Sequence, residues 1–428
     1  MAQTKVTATR PQEEPVRRAP EVRSQRTSRA GMMQTILIPA LAVFTGLLIG
    51  AVVIIITDAA FMAALRNLFQ APGAALRAAW RAVVSAYGAL LYGSLGSPAE
   101  IVQAIRTYAA TGDMAPLLRA FWPLTESLVT STPYIFAGLG VALGFRCGLF
   151  NIGAEGQFFI GALSSAFVGY SLTGFPWFVH LPLALLAGMV GGAIWGAIPG
   201  YLKAATGAHE VVNTIMMNWI AFRLSDWLLN GPMKAPGYRP ITPQIEASAE
   251  LPRLFPAPLR FHVGFFLALA VAALVYWLLF KTTIGFEIRA VGANPDAARY
   301  AGISITRNFI LVMALSGALA GLAGTSQVLG VDHWVGQGFS AGYGFDAIAL
   351  ALVGKSHPVG VILAALLFGT LRSGATRMQS LAGIPIDIIS IIQGLVIIFV
   401  AAPAIIRWLY RMREARAEEL VLTRGWGS

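Results

Sequence analysis

Long uncharged apolar runs recur along the chain, separated by short polar links. Seven are clear: Thr35 to Thr57, Leu128 to Phe145, Phe158 to Val179, Leu181 to Leu202, Val263 to Phe280, Asn308 to Val331 and Ile388 to Ile406. They match the roughly 17–25 residues that a helix needs to cross a hydrocarbon core of about 30 Å. Three weaker runs fill the gaps, Val211 to Asn230, Phe345 to Gly354 and Val359 to Leu371. The pattern predicts an all-α polytopic membrane protein of about ten transmembrane helices. The run from Phe345 is too short to span and follows Gly338, Gly342 and Gly344, which predicts a discontinuous or re-entrant element.

The polar stretches divide the remainder. Residues 1–33, with seven basic and three acidic groups, read as a disordered cytoplasmic tail. The first transmembrane helix, at 34–57, is longer than the apolar core of a cleaved leader and is expected to be retained. Residues 58–124 place Arg66, Arg77 and Arg81 among apolar residues around a break at Pro72 and Gly73, predicting helices at the extracytoplasmic interface. The proline-rich stretch GPMKAPGYRPITPQIEASAELPRLFPAPLR reads as a loop packed on the same face. Residues 125–406 form the membrane core, interrupted by a polar loop at 281–307, and 407–428 form a second cytoplasmic tail. Within that loop Asn294 suits a cap, Pro295 a first helical position, Asp296 the positive helix end and Gly302 a stop. The result is a slim rod of about two turns, roughly 10 Å long, among Arg289 and Arg299. Glycines at 188, 192, 196 and 200, and again at 317 and 321, make flat ridges that suit close helix packing or a sliding interface.

Composition agrees with the bilayer. Hydrophobic residues make up 56% of the chain and charged ones 12%, half the roughly 25% of a soluble domain. The net charge of +11 does not point to nucleic acid. With a cytoplasmic N-terminus and ten alternating spans, nineteen of the 31 Lys and Arg face inward, both termini are cytoplasmic, and anionic lipid head groups are the expected neighbours. The single Cys147 excludes an internal disulfide and a multi-cysteine metal site, and is expected to be a small buried residue.

Little in the chain suggests bond-breaking chemistry. Gly354, Lys355 and Ser356 imitate the end of a phosphate-binding loop, but Ala349 stands where the pattern needs glycine. The five histidines are scattered without helical pairing, and no metal site is expected. Polar residues at membrane depth are more telling. GLFNIGAEGQ places Asn151, Glu155 and Gln157 between apolar runs. It reads either as a short cytoplasmic turn with Glu155 neutralised by Arg146, or as a discontinuous element beside a transport path. Asp346 reads either as a pathway residue or as a helix-capping anion, the default also for Glu210 and Asp387. Asn213 is a further pathway candidate.

The stretches FRCGLFNIGAEGQ, GAHEVVNTIMMNWIA, TTIGFEIRAVGANPDAARYAGI, GYGFDAIALALVGKSHPVGVILAALLFGTLRSGA and IPIDIISIIQGLVIIF resemble, in order, the integral-membrane permeases of bacterial ABC importers. The branch is the one serving simple sugars, branched-chain amino acids and nucleosides, and NIGAEGQ looks most like the longer permease of nucleoside importers. His209 and Lys355 to His357 depart from the usual pattern, and 58–119 match poorly. The resemblance implies a non-enzymatic transport subunit of the bacterial cytoplasmic (inner) membrane. It would bind no cofactor itself; ATP and Mg would sit on a partner ATPase with two nucleotide-binding domains. A second, unlike permease and an extracytoplasmic substrate-binding lipoprotein would complete the importer. The same resemblance makes 281–307 the ATPase-coupling segment, with Gly285, Arg289, Gly292, Asn294, Pro295, Ala298 and Gly302 as its residues, and Asn151, Glu155, Gln157, Asn213 and Asp346 as candidates for the substrate pathway. Nucleosides are the expected cargo. A ribose-like sugar permease is the alternative, followed by an ion-coupled secondary transporter.

Overall fold

A computed structural model describes residues 29–412 apart from 67, 68, 70 and 386. The tails expected at 1–33 and 407–428 therefore fall mostly outside the described residues. Along the chain come α1 (Arg29–Thr57), α2 (Ala59–Leu65), α3 (Pro72–Leu95), α4 (Pro98–Thr111), α5 (Ala115–Arg146), α6 (Ala154–Ser171), α7 (Trp177–Thr206) and α8 (Glu210–Asn230). Then follow α9 (Gly264–Lys281), α10 (Thr283–Ala293), α11 (Pro295–Tyr300), α12 (Ile305–Gln327), α13 (Tyr343–Val353), α14 (Pro358–Ala382), α15 (Asp387–Ala401) and α16 (Pro403–Leu409). Local chemistry sets many boundaries. Asp58, Thr282, Asn294 and Ser304 accept backbone N–H bonds at the starts of α2, α10, α11 and α12, at 2.7–3.3 Å. Left-handed Gly112, Gly207 and Gly383 end α4, α7 and α14.

Among the described residues six helices, α1, α5, α7, α9, α12 and α14, are long and apolar enough to cross a bilayer; α15 with α16 would make a seventh. Ten spans were expected, and the residues explain the difference. The eighteen-residue α6 opens on Glu155 and Gln157, α8 carries Glu210, Arg223 and Asp226, and α13 has only eleven residues. The run from Phe158 to Val179 is not one helix, because Gly174, Phe175 and Pro176 separate α6 from α7. The run from Ile388 to Ile406 bends by 88° before Pro403. The first helix also starts earlier than 34, taking in residues 29–33 expected in the tail.

The helices α5 and α12 form the axis of the bundle. In their apolar segments 83% and 72% of residues are buried, against 28% in α1 and α7, which leaves the latter facing lipid. The main core joins Tyr134, Phe136 and Leu143 of α5, Phe158 of α6, Met313 of α12, Leu350 of α13 and Phe368 of α14. Helices α1, α3, α14 and α15 share a second cluster around Leu90, Met378, Ile392 and Val396. The two glycine ridges face one another: a Cβ at Gly192 would fall on the backbone of Gly317 and Gly321, and one at Gly196 on that of Met313 and Gly317. Here α7 and α12 touch main chain to main chain, the packing role expected of these glycines.

The bundle has two unlike ends. At one lie Arg146, α10 and α11. At the other, the segment after α8 is knitted to the end of α12, where a π-helical turn, Val328–Asp332, closes in left-handed His333. The Thr242 N–H donates to the Val335 carbonyl at 2.9 Å, Ile245 to His333 at 3.0 Å and Leu251 to Leu329 at 2.8 Å. Arg260 pairs with Glu126 across the same end. The prolines of this segment therefore lie on a loop fastened to the bundle, as the sequence predicts.

Candidate functional site

After α5 ends at Arg146, the chain reverses at left-handed Gly148 and passes through Leu149 to Gly153 without regular structure before α6 begins. The neighbouring α13 shows how deep this stretch lies. Its start packs on Glu155, since a Cβ at Gly344 would fall on the Glu155 backbone. Its far end reaches Lys355 and Ser356, whose carbonyls Arg146 binds, the Nε to Ser356 at 2.8 Å. Eleven residues rise about 16 Å, half of a core of about 30 Å. Glu155 therefore lies about 16 Å from that turn, where the N-termini of eleven-residue α13 and eighteen-residue α6 meet.

The reading of this stretch as a turn with Glu155 neutralised by Arg146 does not hold. Arg146 is spent on the turn after α13, where Lys355 and Ser356 adopt φ of 52° and 49°. Glu155, 3% exposed, instead accepts the Gly344 N–H at 2.7 Å, and the Phe345 N–H and Ser340 hydroxyl bond it too. Beside it Asn151 is fully buried; its Nδ2 donates to Gln157 Oε1 at 2.9 Å and to Ser316 Oγ at 2.8 Å, while its Oδ1 accepts the Gly153 N–H. Asn218 of α8 closes the set, accepting from Gly156 N–H at 2.8 Å and donating to the Ile152 carbonyl at 2.9 Å. Thus the irregular backbone exposed by the break is satisfied by amides. Asn213, expected here, is not part of the network; its Nδ2 is buried without a hydrogen-bond partner.

Asp346 lies in the first turn of α13, the place expected of a helix-start anion, and its carboxylate is also engaged. Gly342 holds the cap position of α13, and the Asp346 carboxylate accepts from the Tyr134 hydroxyl at 2.6 Å and faces the Arg372 guanidinium at 3.3 Å. Arg372 also binds the Ala341 carbonyl at 2.7 Å and lies over the Tyr343 ring. Tyr343 stacks on Phe158 with centroids 5.8 Å apart and meets Tyr134 edge-on at 4.7 Å, so an aromatic shell surrounds the junction. Sequence reasoning missed Tyr134, Asn218, Ser316 and Arg372. Arg372 carried a usable signal, an arginine that with Arg377 interrupts the apolar helix α14. Glu210 is likewise engaged, pairing with Lys203 at 2.9 Å.

At the Arg146 end, Asn294 joins α10 and α11 into an elbow. The expected rod is α11, with Pro295 first, Ala298 buried and Gly302 left-handed at φ 79°. What the sequence reading lacked is α10. Gly285 lies so close to α9 that a Cβ would fall on Leu278 and Leu279, and Gly292 would strike Arg146 and Cys147. Arg146 and Arg289 both lie over the Phe280 ring, at 5.7 and 5.4 Å. Glu287 accepts from Asn308 of α12 at 3.1 Å. The elbow is thereby seated on α5, α9 and α12, while Tyr300 at its tip is 94% exposed.

Two groups outside the spans are perturbed at the opposite end. Burial, then the neighbouring His333, Arg253 and Arg260, lowers His262 to about 4. Burial also lowers His333, whose Nε2 faces Arg253 at 3.0 Å, against the opposing pull of Glu250. Cys147, buried beside Arg146, has its thiol pushed up to about 12. Among the described residues no three His, Cys, Asp or Glu side chains gather as metal ligands. The junction offers fixed donors, acceptors and ring faces, which suit recognition and movement of a solute.

Comparison with known proteins gives these features a family. The model for the branched-chain amino acid transport system permease component matches residues 124–401. A guanosine ABC transporter permease of Bacillus subtilis, NupP, is 42% identical over 289 residues, 66% of this chain and 82% of its own. A nucleoside ABC transporter permease of Lactococcus lactis, NupB, is 36% identical over 310 residues, 70% of this chain and 85% of its own. A glucose ABC transporter permease of Haloferax volcanii is also 36% identical, over 327 residues, 74% of this chain and 85% of its own. No solved structure matches the chain. With its helical bundle, its seated elbow and a match over most of its length, this multi-pass chain belongs to the permease-component family of ABC importers.

Proposed function

We propose that the chain carries nucleosides across the bacterial cytoplasmic membrane, using ATP hydrolysed with Mg on a separate ATPase that has two nucleotide-binding domains. A second, unlike permease and an extracytoplasmic binding lipoprotein complete the importer. The observation that carries this reading is the elbow: a capped helix with an exposed tyrosine tip, held to α9 and α5 by glycine contacts that leave no slack and to α12 by the Glu287–Asn308 hydrogen bond. The elbow end is cytoplasmic, as are both termini, and 281–307 is the segment that docks on the ATPase. A push on α11 passes through Gly292 to α5, and from Arg146 to the turn after α13. From there α13 carries it to Glu155 and the amides Asn151 and Gln157, which with Asp346 and the aromatic shell border the solute path. Asn213, with its unpaired Nδ2, is a further polar group toward the cytoplasmic side.

Relatedness to guanosine and nucleoside permeases supports the cargo, an uncharged polar solute with a flat ring. The glucose permease supports the alternative, a simple sugar. Uptake of labelled guanosine, uridine and ribose, measured with and without this chain after collapse of the ion gradient, separates them. Loss of nucleoside uptake alone is expected. Loss of ribose uptake alone moves the chain to the sugar branch, and uptake that vanishes with the gradient while ATP remains rejects the importer reading.

A further inference from the structure

Ahead of the family match, the start of α2 and the face of α3 border an open cavity of about 510 Å³. Arg77, Arg81 and Ser85 line it, one turn apart on one helical face, with Asp58 on the other element and four alanines leaving room between them. Among the described residues neither arginine forms an ion pair. Asp58 commits Oδ1 to the Phe61 N–H and still brings a negative charge to the cavity wall.

The surroundings fix what kind of anion fits. Immediately beside the arginines, Leu76, Trp80 and Val84 form an exposed apolar stripe, and Val52 and Ile56 of α1 are exposed as well. Helix α1, a spanning helix, ends at Thr57, one residue before Asp58. The cavity therefore opens where the span meets water, the level at which an indole such as that of Trp80 settles.

We propose that this cavity binds the head group of a phospholipid that carries both a phosphate and a primary ammonium, an ethanolamine lipid. Its phosphate sits between Arg77 and Arg81, its ammonium at Asp58, and its acyl chains along the apolar stripe. Inorganic phosphate shares the arginine contacts but uses neither Asp58 nor the stripe, and a purely anionic lipid meets Asp58 unfavourably.

The test is native mass spectrometry of the full-length chain in detergent, titrated separately with phosphatidylethanolamine, phosphatidylglycerol and inorganic phosphate. Wild type is expected to bind phosphatidylethanolamine most tightly. Replacing both arginines, R77Q/R81Q, is expected to weaken it about twenty-five-fold, about fivefold for each cation. Asn caps helices as well as Asp does, so D58N keeps α2 and is expected to abolish the preference for phosphatidylethanolamine over phosphatidylglycerol. The control R119Q removes an exposed arginine elsewhere and is expected to change nothing. Unchanged lipid binding in R77Q/R81Q, an equal loss in R119Q, an unaltered preference in D58N, or displacement of the lipid by equimolar inorganic phosphate would each overturn the assignment.

Discussion

Glu155→Ala tests whether the carboxylate holds the N-termini of α6 and α13 together. In the wild type its side chain takes the Gly344 N–H at 2.7 Å and also the Phe345 N–H, both in the first turn of α13. At 3% exposure, no solvent stands ready to replace it. Removing the acceptor leaves two buried amide hydrogens unpaired at about 1–3 kcal/mol each, a loss of about 2–6 kcal/mol. Glu155→Gln keeps an acceptor oxygen of the same reach and loses chiefly the charge-assisted part, about 1–1.5 kcal/mol. The assay is thermal and denaturant unfolding of the purified chain in detergent, followed by uptake at matched expression. Alanine should fall well below glutamine, and glutamine modestly below wild type. Equal stability of the two variants would refute the acceptor argument, since only one of them can satisfy the amides.

Three further outcomes are expected. Gly192→Leu should prevent stable assembly, because its first side-chain carbon falls on the Gly317 backbone, whereas Gly394→Ala, with open space around it, should be tolerated or gain about 0.5–1 kcal/mol; unfolding curves of both check this. His262 and His333 have folded values below the ordinary 6.5, so the fold binds fewer protons than the unfolded chain. Their contribution is complete above about pH 6.5 and is lost as pH falls from there through the lowered folded values, about 4 for His262. Proteolysis of the 231–262 segment should accelerate over that acidic range and less so in H262Q/H333Q. Finally, Asn294→Ala with Gly302→Leu removes a cap of about 1 kcal/mol and strains a left-handed position by about 1–2 kcal/mol, so ATPase stimulation by transported solute should drop by more than that loss of stability explains at matched expression. Full stimulation in that variant would reject the coupling role of the elbow.

How far the sequence foretells this structure depends on the range of the interaction involved. Asn294, Pro295 and Gly302 act within a few residues of themselves, and α11 lies where they place it. The glycine ridges were legible as ridges, but only the folded chain shows that they face one another. Hydropathy put the break between α6 and α7 at His180 instead of at residues 172–176, because Gly174 and Pro176 are too few to lower an apolar average. The partners of Asp346 lie on α5 and α14, 212 and 26 residues away, and no local pattern links them. Nor does any local pattern set Asn218 apart from Asn213, since both sit on one helix and only tertiary contact shows that Asn218 joins the amide network.

The meeting of α6 and α13 also has an electrostatic consequence. Each helix brings about half a positive elementary charge at its N-terminus, and Glu155 brings one negative charge to the place where they converge. The three nearly cancel, so a carboxylate can rest buried at this junction. Parting the helices would leave the carboxylate facing only one of the two ends, with about half its compensation gone. Whatever rearrangement opens the path is therefore cheapest when α6 and α13 travel as one body, with the moving boundary falling elsewhere in the bundle.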